Sequence, residues 1–177
     1  MFKWLFILSG LTTLAIGCAT GQNGQATLET VGNVDLNRYL GQWYEVASYP
    51  AWFQKGCTQS TAFYELLPDG KVSVINRCLT DDPDGKVKES KGKAQVVDSS
   101  TNAKLKVWFF WPFKGDYWII DLDEDYQWSV VGEPKREYLW ILSRDLDMDE
   151  STYADILSRL PGKGYDPAKL NKSSHKE

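Results

Sequence analysis

Apolar and polar positions alternate with a period of two through most of this chain. In Lys104-Leu105-Lys106-Val107-Trp108-Phe109 the lysines send Leu105, Val107 and Phe109 to the face turned from water. Gln59, Thr61 and Glu65 likewise turn Ala62, Tyr64 and Leu66 inward, and Lys71, Ser73 and Arg77 turn Val72, Val74 and Asn76 inward. Segments of this kind predict strands over 42–49, 58–67, 71–78, 87–97, 103–110, 116–122, 126–132 and 138–144. Between them stand turn-forming stretches: Pro68-Asp69-Gly70, Asp82-Pro83-Asp84-Gly85, Ser99-Ser100-Thr101-Asn102, Lys114-Gly115 and Gly132-Glu133-Pro134. After the last strand the period changes. Tyr153, Ile156, Leu157 and Leu160 are spaced for one face of a helix, with a capping start over Asp147–Glu150 and a stop at Pro161-Gly162. The pattern predicts an all-β fold, an eight-stranded antiparallel up-and-down β-barrel with one C-terminal α-helix packed outside. That helix is the expected cover for Tyr117-Trp118-Ile119-Ile120, which is apolar on both faces.

The first residues follow another logic. Lys3 precedes an apolar run from Trp4 to Ile16 that is too short for a stable bilayer span. Its end, Leu14-Ala15-Ile16-Gly17-Cys18, resembles a bacterial lipoprotein signal, in which small residues precede a Cys that is acylated and becomes the new N-terminus. The resemblance implies that 1–17 are removed and that Cys18 carries a diacylglyceryl thioether and an amide-linked acyl chain such as palmitate. It also implies outer-membrane anchoring, because Ala19 is not the Asp that would favour retention at the inner membrane. Residues 18–31, rich in Gly, Gln, Thr and Asn, are expected to form a flexible tether, and 173–177 a polar tail. Of three cysteines, Cys57 and Cys78 then remain in an oxidising compartment and are expected to pair. The hairpin about Pro68-Asp69-Gly70 brings them within a few residues of facing each other, an offset that a bulge would close.

Composition removes several kinds of function. The single His, His175, lies in the polar tail, which argues against Ser-His-Asp, Cys-His, zinc-hydrolase and haem chemistry. Lys+Arg of 20 against Asp+Glu of 24 gives net −4 with no basic block, so nucleic acid is not an expected partner. Asp121-Leu122-Asp123-Glu124-Asp125 and Asp145-Leu146-Asp147-Met148-Asp149 begin like calcium loops but lack the Gly and the terminal Glu, and no metal or cofactor is implied.

Gly41-Gln42-Trp43-Tyr44-Glu45 matches the G-x-W-Y-E signature of the lipocalins, behind the lead-in Asp35–Leu40. Asp123-Glu124-Asp125-Tyr126 resembles that family's second motif and Trp140-Ile141-Leu142-Ser143-Arg144 its third, in the family's order. The resemblance covers 32–172 and is closest to the bacterial outer-membrane lipocalins and apolipoprotein D. Two departures lie in the middle motif: Leu122 stands where Thr is frequent, and Glu124-Asp125-Tyr126 lengthens the turn. The resemblance implies that Gly41, Trp43 and Arg144 are structural, with the guanidinium across the indole at the barrel base. It also implies a lumen that takes one hydrophobic ligand, a fatty acid or lysophospholipid, without catalysis. The inward candidates to line it are Tyr64, Val74, Asn76, Ala94, Val107, Phe109, Tyr117, Ile119, Ser129, Tyr138 and Trp140. The competing expectation is an envelope structural or interaction protein with a filled barrel. Trp111-Pro112-Phe113, between the fifth and sixth strands, is then a face for a homodimer or for lipid.

Overall fold

The structure, a computed structural model, describes residues 26–81 and 85–173. Asp35 caps a one-turn helix, α1 (Leu36–Tyr39), accepting from the backbone N–H groups of Asn37 and Arg38. Eight antiparallel strands follow: β1 (Gly41–Ser48), β2 (Cys57–Leu66), β3 (Val72–Thr80), β4 (Val87–Val96), β5 (Lys104–Phe110), β6 (Phe113–Leu122), β7 (Trp128–Gly132) and β8 (Leu139–Ser143). Each pairs with its neighbour in sequence, and β1 pairs with both β2 and β8, so the sheet closes into a barrel. Closure satisfies the backbone of both terminal strands. A ninth strand, absent from the sequence expectation, is the two-residue β9 (Asn171–Lys172) laid against Ala47 and Ser48.

Alternation sorts the apolar residues into two clusters, one on each side of the wall. Trp43, Tyr64, Val74, Leu105, Ile119, Val131 and Leu142 meet inside the barrel. Their sequence neighbours Ile120, Val130 and Ile141 point outward, where α2 (Glu150–Arg159) covers them with Ile156, assisted by Leu160 just past its end. Asp149 is the N-cap of α2, accepting from Ser151 and Thr152 N–H, and Pro161 begins the 3-10 turn that ends the helix.

Four expectations are corrected. Residues 26–31 are not a free tether. Leu28 is buried in the outer cluster, Val31 N–H donates to the Ile119 carbonyl, and Arg136 donates to the Ala26 carbonyl. Lys114-Gly115 is not a turn, because both residues lie within β6, with Gly115 opposite Val107, and the reversal falls at Trp111-Pro112 between Phe110 and Phe113. A proline fits there, since it has no N–H to give to the ladder. Leu66 ends β2 beside the Pro68–Gly70 turn and is exposed, because its inward phase runs past the packed interior. Ser173 is held to the barrel, its N–H donating to the Val46 carbonyl, so the polar tail begins later than expected. The leader with Cys18, residues 19–25 of the tether, the Asp82-Pro83-Asp84 part of one turn, and the tail end with His175 lie outside the described residues.

Cys57 and Cys78 are joined by a disulfide, with their Cα atoms 5.4 Å apart. A register shift between Thr58 and Thr61, with Gln59 at φ 51°, lets β2 enter one position out of the hairpin's main register. This sets Cys57 opposite Thr80, two places from Cys78 on the same face of the sheet.

Candidate functional site: the barrel lumen

One end of the barrel is shut by the short helix and by side chains at the ends of β1 and β8. The Arg144 guanidinium stacks on the Trp43 ring at 3.8 Å from its centroid. It also donates to four backbone carbonyls, those of Arg38, Leu40, Gln42 and Tyr126. Such a planar fork suits a cation stacked on indole while stitching three chain segments together. Burial pulls the Arg144 pKa down from its ordinary value. Gly41 takes φ +92°, and a Cβ there would sit 3.5 Å from an Arg144 Nη1, so a side chain would be strained in backbone and close to the guanidinium. Trp43 Nε1–H donates to the Tyr39 carbonyl, and Tyr126 Oη accepts from Asp35 N–H.

Above this floor lies an apolar cavity of about 30 Å³ lined by Leu36, Tyr39, Leu40, Tyr64, Val72, Val74, Ala94, Leu105, Val107, Tyr117 and Ile119. Six of the candidates expected from sequence are therefore on its wall: Tyr64, Val74, Ala94, Val107, Tyr117 and Ile119. Phe109 packs into the same interior cluster, its ring against Gly92, where an added Cβ would come within 2.8 Å of it. Ser129 is fully buried and bonded to Tyr39. Tyr138 and Trp140 stack on each other, with centroids 5.9 Å apart, and meet Phe53 of the β1–β2 connection. Asn76 keeps the inward phase of Val72 and Val74 but is exposed and does not line this cavity.

Polar groups in this interior form one chain of hydroxyls. Tyr117 Oη lies 2.9 Å from Tyr39 Oη and 3.0 Å from Tyr64 Oη, and Tyr39 Oη lies 3.0 Å from Ser129 Oγ. Burial pushes the Tyr39 phenol up to about 12 and raises those of Tyr64 and Tyr117 as well, so all three are neutral at ordinary pH. Among the described residues, no charged side chain lines the cavity. Tyr39, Leu36 and Leu40 were missed as lumen residues by the strand-based reading. Their signal was present: Asp35 as an N-cap followed by apolar residues at 36, 39 and 40 is a helical spacing, and one turn of it plugs the barrel.

A second concavity, a surface groove of about 480 Å³, lies under the β1–β2 connection between β2 and β9. Buried Glu45 sits on its wall, with its carboxylate accepting from Ser48, Gln54 and Ser173. Gln54 in turn accepts from Trp140 Nε1, tying that connection to β8.

The barrel closed by an Arg-on-Trp floor agrees with the sequence comparisons. The model of the lipocalin-like domain matches residues 34–175. This chain belongs to the lipocalin family. It is 40% identical over 154 residues to temperature-induced lipocalin-1 of Arabidopsis thaliana, covering 82% of each chain. It is 41% identical over 140 residues to outer membrane lipoprotein Blc of Escherichia coli K12, covering 79% of this chain and 78% of that one. Apolipoprotein D of Macaca fascicularis is 34% identical over 182 residues, covering 96% and 94%. Among solved structures, insecticyanin of the tobacco hornworm superposes with a TM-score of 0.69 at 17% identity, over 85% of both chains, which shows a shared fold. In this lipocalin the three motifs quoted from sequence meet at the floor: Trp43 from β1, Tyr126 from the β6–β7 turn and Arg144 after β8.

Proposed function

We propose that this lipocalin is a lipid-anchored protein of the outer membrane that binds a fatty acid or lysophospholipid in its lumen and stores or transfers it, without catalysis. The observation that carries this reading is the interior itself, an apolar, charge-free wall ending in neutral hydroxyls. A buried carboxylate or phosphate would meet no counter-charge there, so the acyl tail enters first and the head group stays at the mouth. An acyl chain of about a dozen CH₂ groups gains roughly 10 kcal/mol gross, less at least ~4 kcal/mol for lost freedom, which leaves micromolar or tighter affinity. The names of the bacterial relatives, outer membrane lipoproteins, support the anchor at Cys18 and the location. The removal of a leader over 1–17 and the acylation of Cys18 follow from the same reading.

A second reading is supported by one observation. The cavity of about 30 Å³ holds roughly one water molecule's share of liquid volume, so the barrel is nearly filled by its own side chains. An acyl chain enters only if rings swing aside, and Phe109, half-buried against Gly92 and without a hydroxyl to hydrogen-bond, is the candidate to move. Titrating the delipidated protein with a fluorescent acyl probe and with lysophospholipid separates the two readings. Saturable one-to-one binding is expected. No binding of either would leave a filled-barrel interaction protein.

A further inference from the structure

The tip of the β5–β6 hairpin is the most apolar exposed point among the described residues. Phe110, Trp111 and Phe113 are each 78% exposed, side by side in chain order around Pro112. A monomer in water gains nothing from three such rings at one turn, and exposed apolar clusters of this kind mark interaction sites. The tip stands at the mouth end, since the floor with Trp43 and Arg144 is at the opposite end of the strands.

Its charge tells which partner fits. Lys114 Nζ lies over the Trp108 ring at 4.9 Å and the Trp111 ring at 5.8 Å. The cation is thus held just behind the aromatic tip, and among the described residues no carboxylate pairs with it. Rings leading and a cation one residue behind match a bilayer in depth: aromatics at the acyl boundary, ammonium at the phosphates. A second copy fits less well. A two-fold contact through this tip would bring the two Lys114 cations together in a desolvated interface.

We propose that the β5–β6 hairpin tip is a second membrane contact, independent of any acyl anchor, that inserts Phe110, Trp111 and Phe113 into a phospholipid surface while Lys114 meets the phosphates. The mouth of the barrel then faces the bilayer, and a lipid chain passes between membrane and lumen without crossing water.

Residues 26–173 contain the closed sheet, the disulfide and both apolar clusters, so the chain from Ala19 onward folds without the leader and carries no anchor. That chain is mixed with vesicles of phosphatidylcholine, with and without phosphatidylglycerol, and sedimented. It is expected to partition onto both and more strongly onto the anionic ones. The pair Trp111→Ala and Phe113→Ala is expected to lower the partition coefficient about a hundredfold, roughly tenfold for each buried ring. Lys114→Gln is expected to remove the preference for the anionic vesicles. Melting temperature and lumen affinity for a soluble acyl probe, which belong to the barrel interior, should stay unchanged in all variants. Failure of the unaltered chain to sediment with either vesicle would overturn the proposal, as would equal sedimentation of the double variant. Concentration-dependent dimerisation abolished by the same pair, without vesicle binding, would assign the tip to a second copy instead.

Discussion

Arg144 shows how much one side chain carries in this fold. Its guanidinium covers the Trp43 ring and donates to four carbonyls, three within residues 38–42 and one at Tyr126. Arg144→Ala would leave those carbonyls without their donor and the indole without its cap, at a cost of about 3 kcal/mol. Arg144→Lys keeps the charge but loses the fork and recovers only part of that. A thermal melt checks both, and the stoichiometry of acyl-probe binding should be unaltered in either. The lumen tyrosines give a second prediction at this scale. Burial raises Tyr39 from 10.0 to about 12, and Tyr64 and Tyr117 rise too. Above pH 10 the unfolded chain releases phenol protons that the folded barrel still holds. Stability from these groups is therefore complete below pH 10 and falls as pH rises through 12. Tyr117→Phe removes one of the three titrations and should make that decline shallower in denaturant melts at pH 9 to 12. An unchanged slope would mean that the phenols ionise freely in the folded state. Trp43, Arg144 and Gly41 were legible at the level of single residues because two short motifs, Gly41–Glu45 and Trp140–Arg144, contain them. Tyr39 was not, because a strand reading gives no weight to the one helical turn that precedes β1.

At the scale of elements, local chemistry set the boundaries where side chains act on their own backbone, and tertiary pairing set the others. The sequence pattern places the start of α2 over Asp147–Glu150, and within it Asp149 is the cap, so Asp149→Ala should cost about 1 kcal/mol in a denaturant melt. The β5–β6 hairpin went differently. Lys114-Gly115 has turn composition, yet cross-strand pairing with Val107 draws Gly115 into β6 and leaves the reversal to Trp111-Pro112. Single-strand propensity does not contain that information, because it depends on where β5 ends. The disulfide is an intermediate case. Hairpin arithmetic left Cys57 and Cys78 out of register, and the one-residue shift between Thr58 and Thr61 brings Cys57 onto the face of Cys78, two places away, where the bridge closes. The bridge closes a loop with a sequence separation of 21, which in the chain-entropy account is worth about 3 kcal/mol. Cys78→Ser should lower the melting temperature to the value that the unaltered protein shows in reductant, and reductant should not move the variant further.

For the whole molecule, strand alternation predicted the wall but not the volume it encloses. Leu105, Val107, Ile119 and their partners face inward as expected, yet alternation says only that a side chain points to the axis, not how far opposite side chains interpenetrate. The axis here is mostly occupied, leaving a cavity of about 30 Å³. Ligand entry and barrel stability are thus opposed, since the contacts that a chain must displace are those that pack the interior. The outer cluster under α2 is separate from this trade, because Ile120, Val130 and Ile141 stay covered whatever the lumen holds. The two can be told apart by filling the remaining space. Ala94 is small, buried and on the cavity wall, with Gly92 and the Phe109 ring one pleat above it. Ala94→Leu places three more carbons in the path of an acyl tail, and overpacking of this kind costs about 1–3 kcal/mol. If the lumen is the ligand site, acyl-probe affinity should fall at least about tenfold while the fold persists by circular dichroism. Ala94→Gly should bind no worse than the unaltered protein. Equal affinity across all three would place the bound lipid outside the barrel, most simply at the aromatic hairpin tip, and the Trp111→Ala and Phe113→Ala pair would then abolish probe binding that Ala94→Leu had left intact.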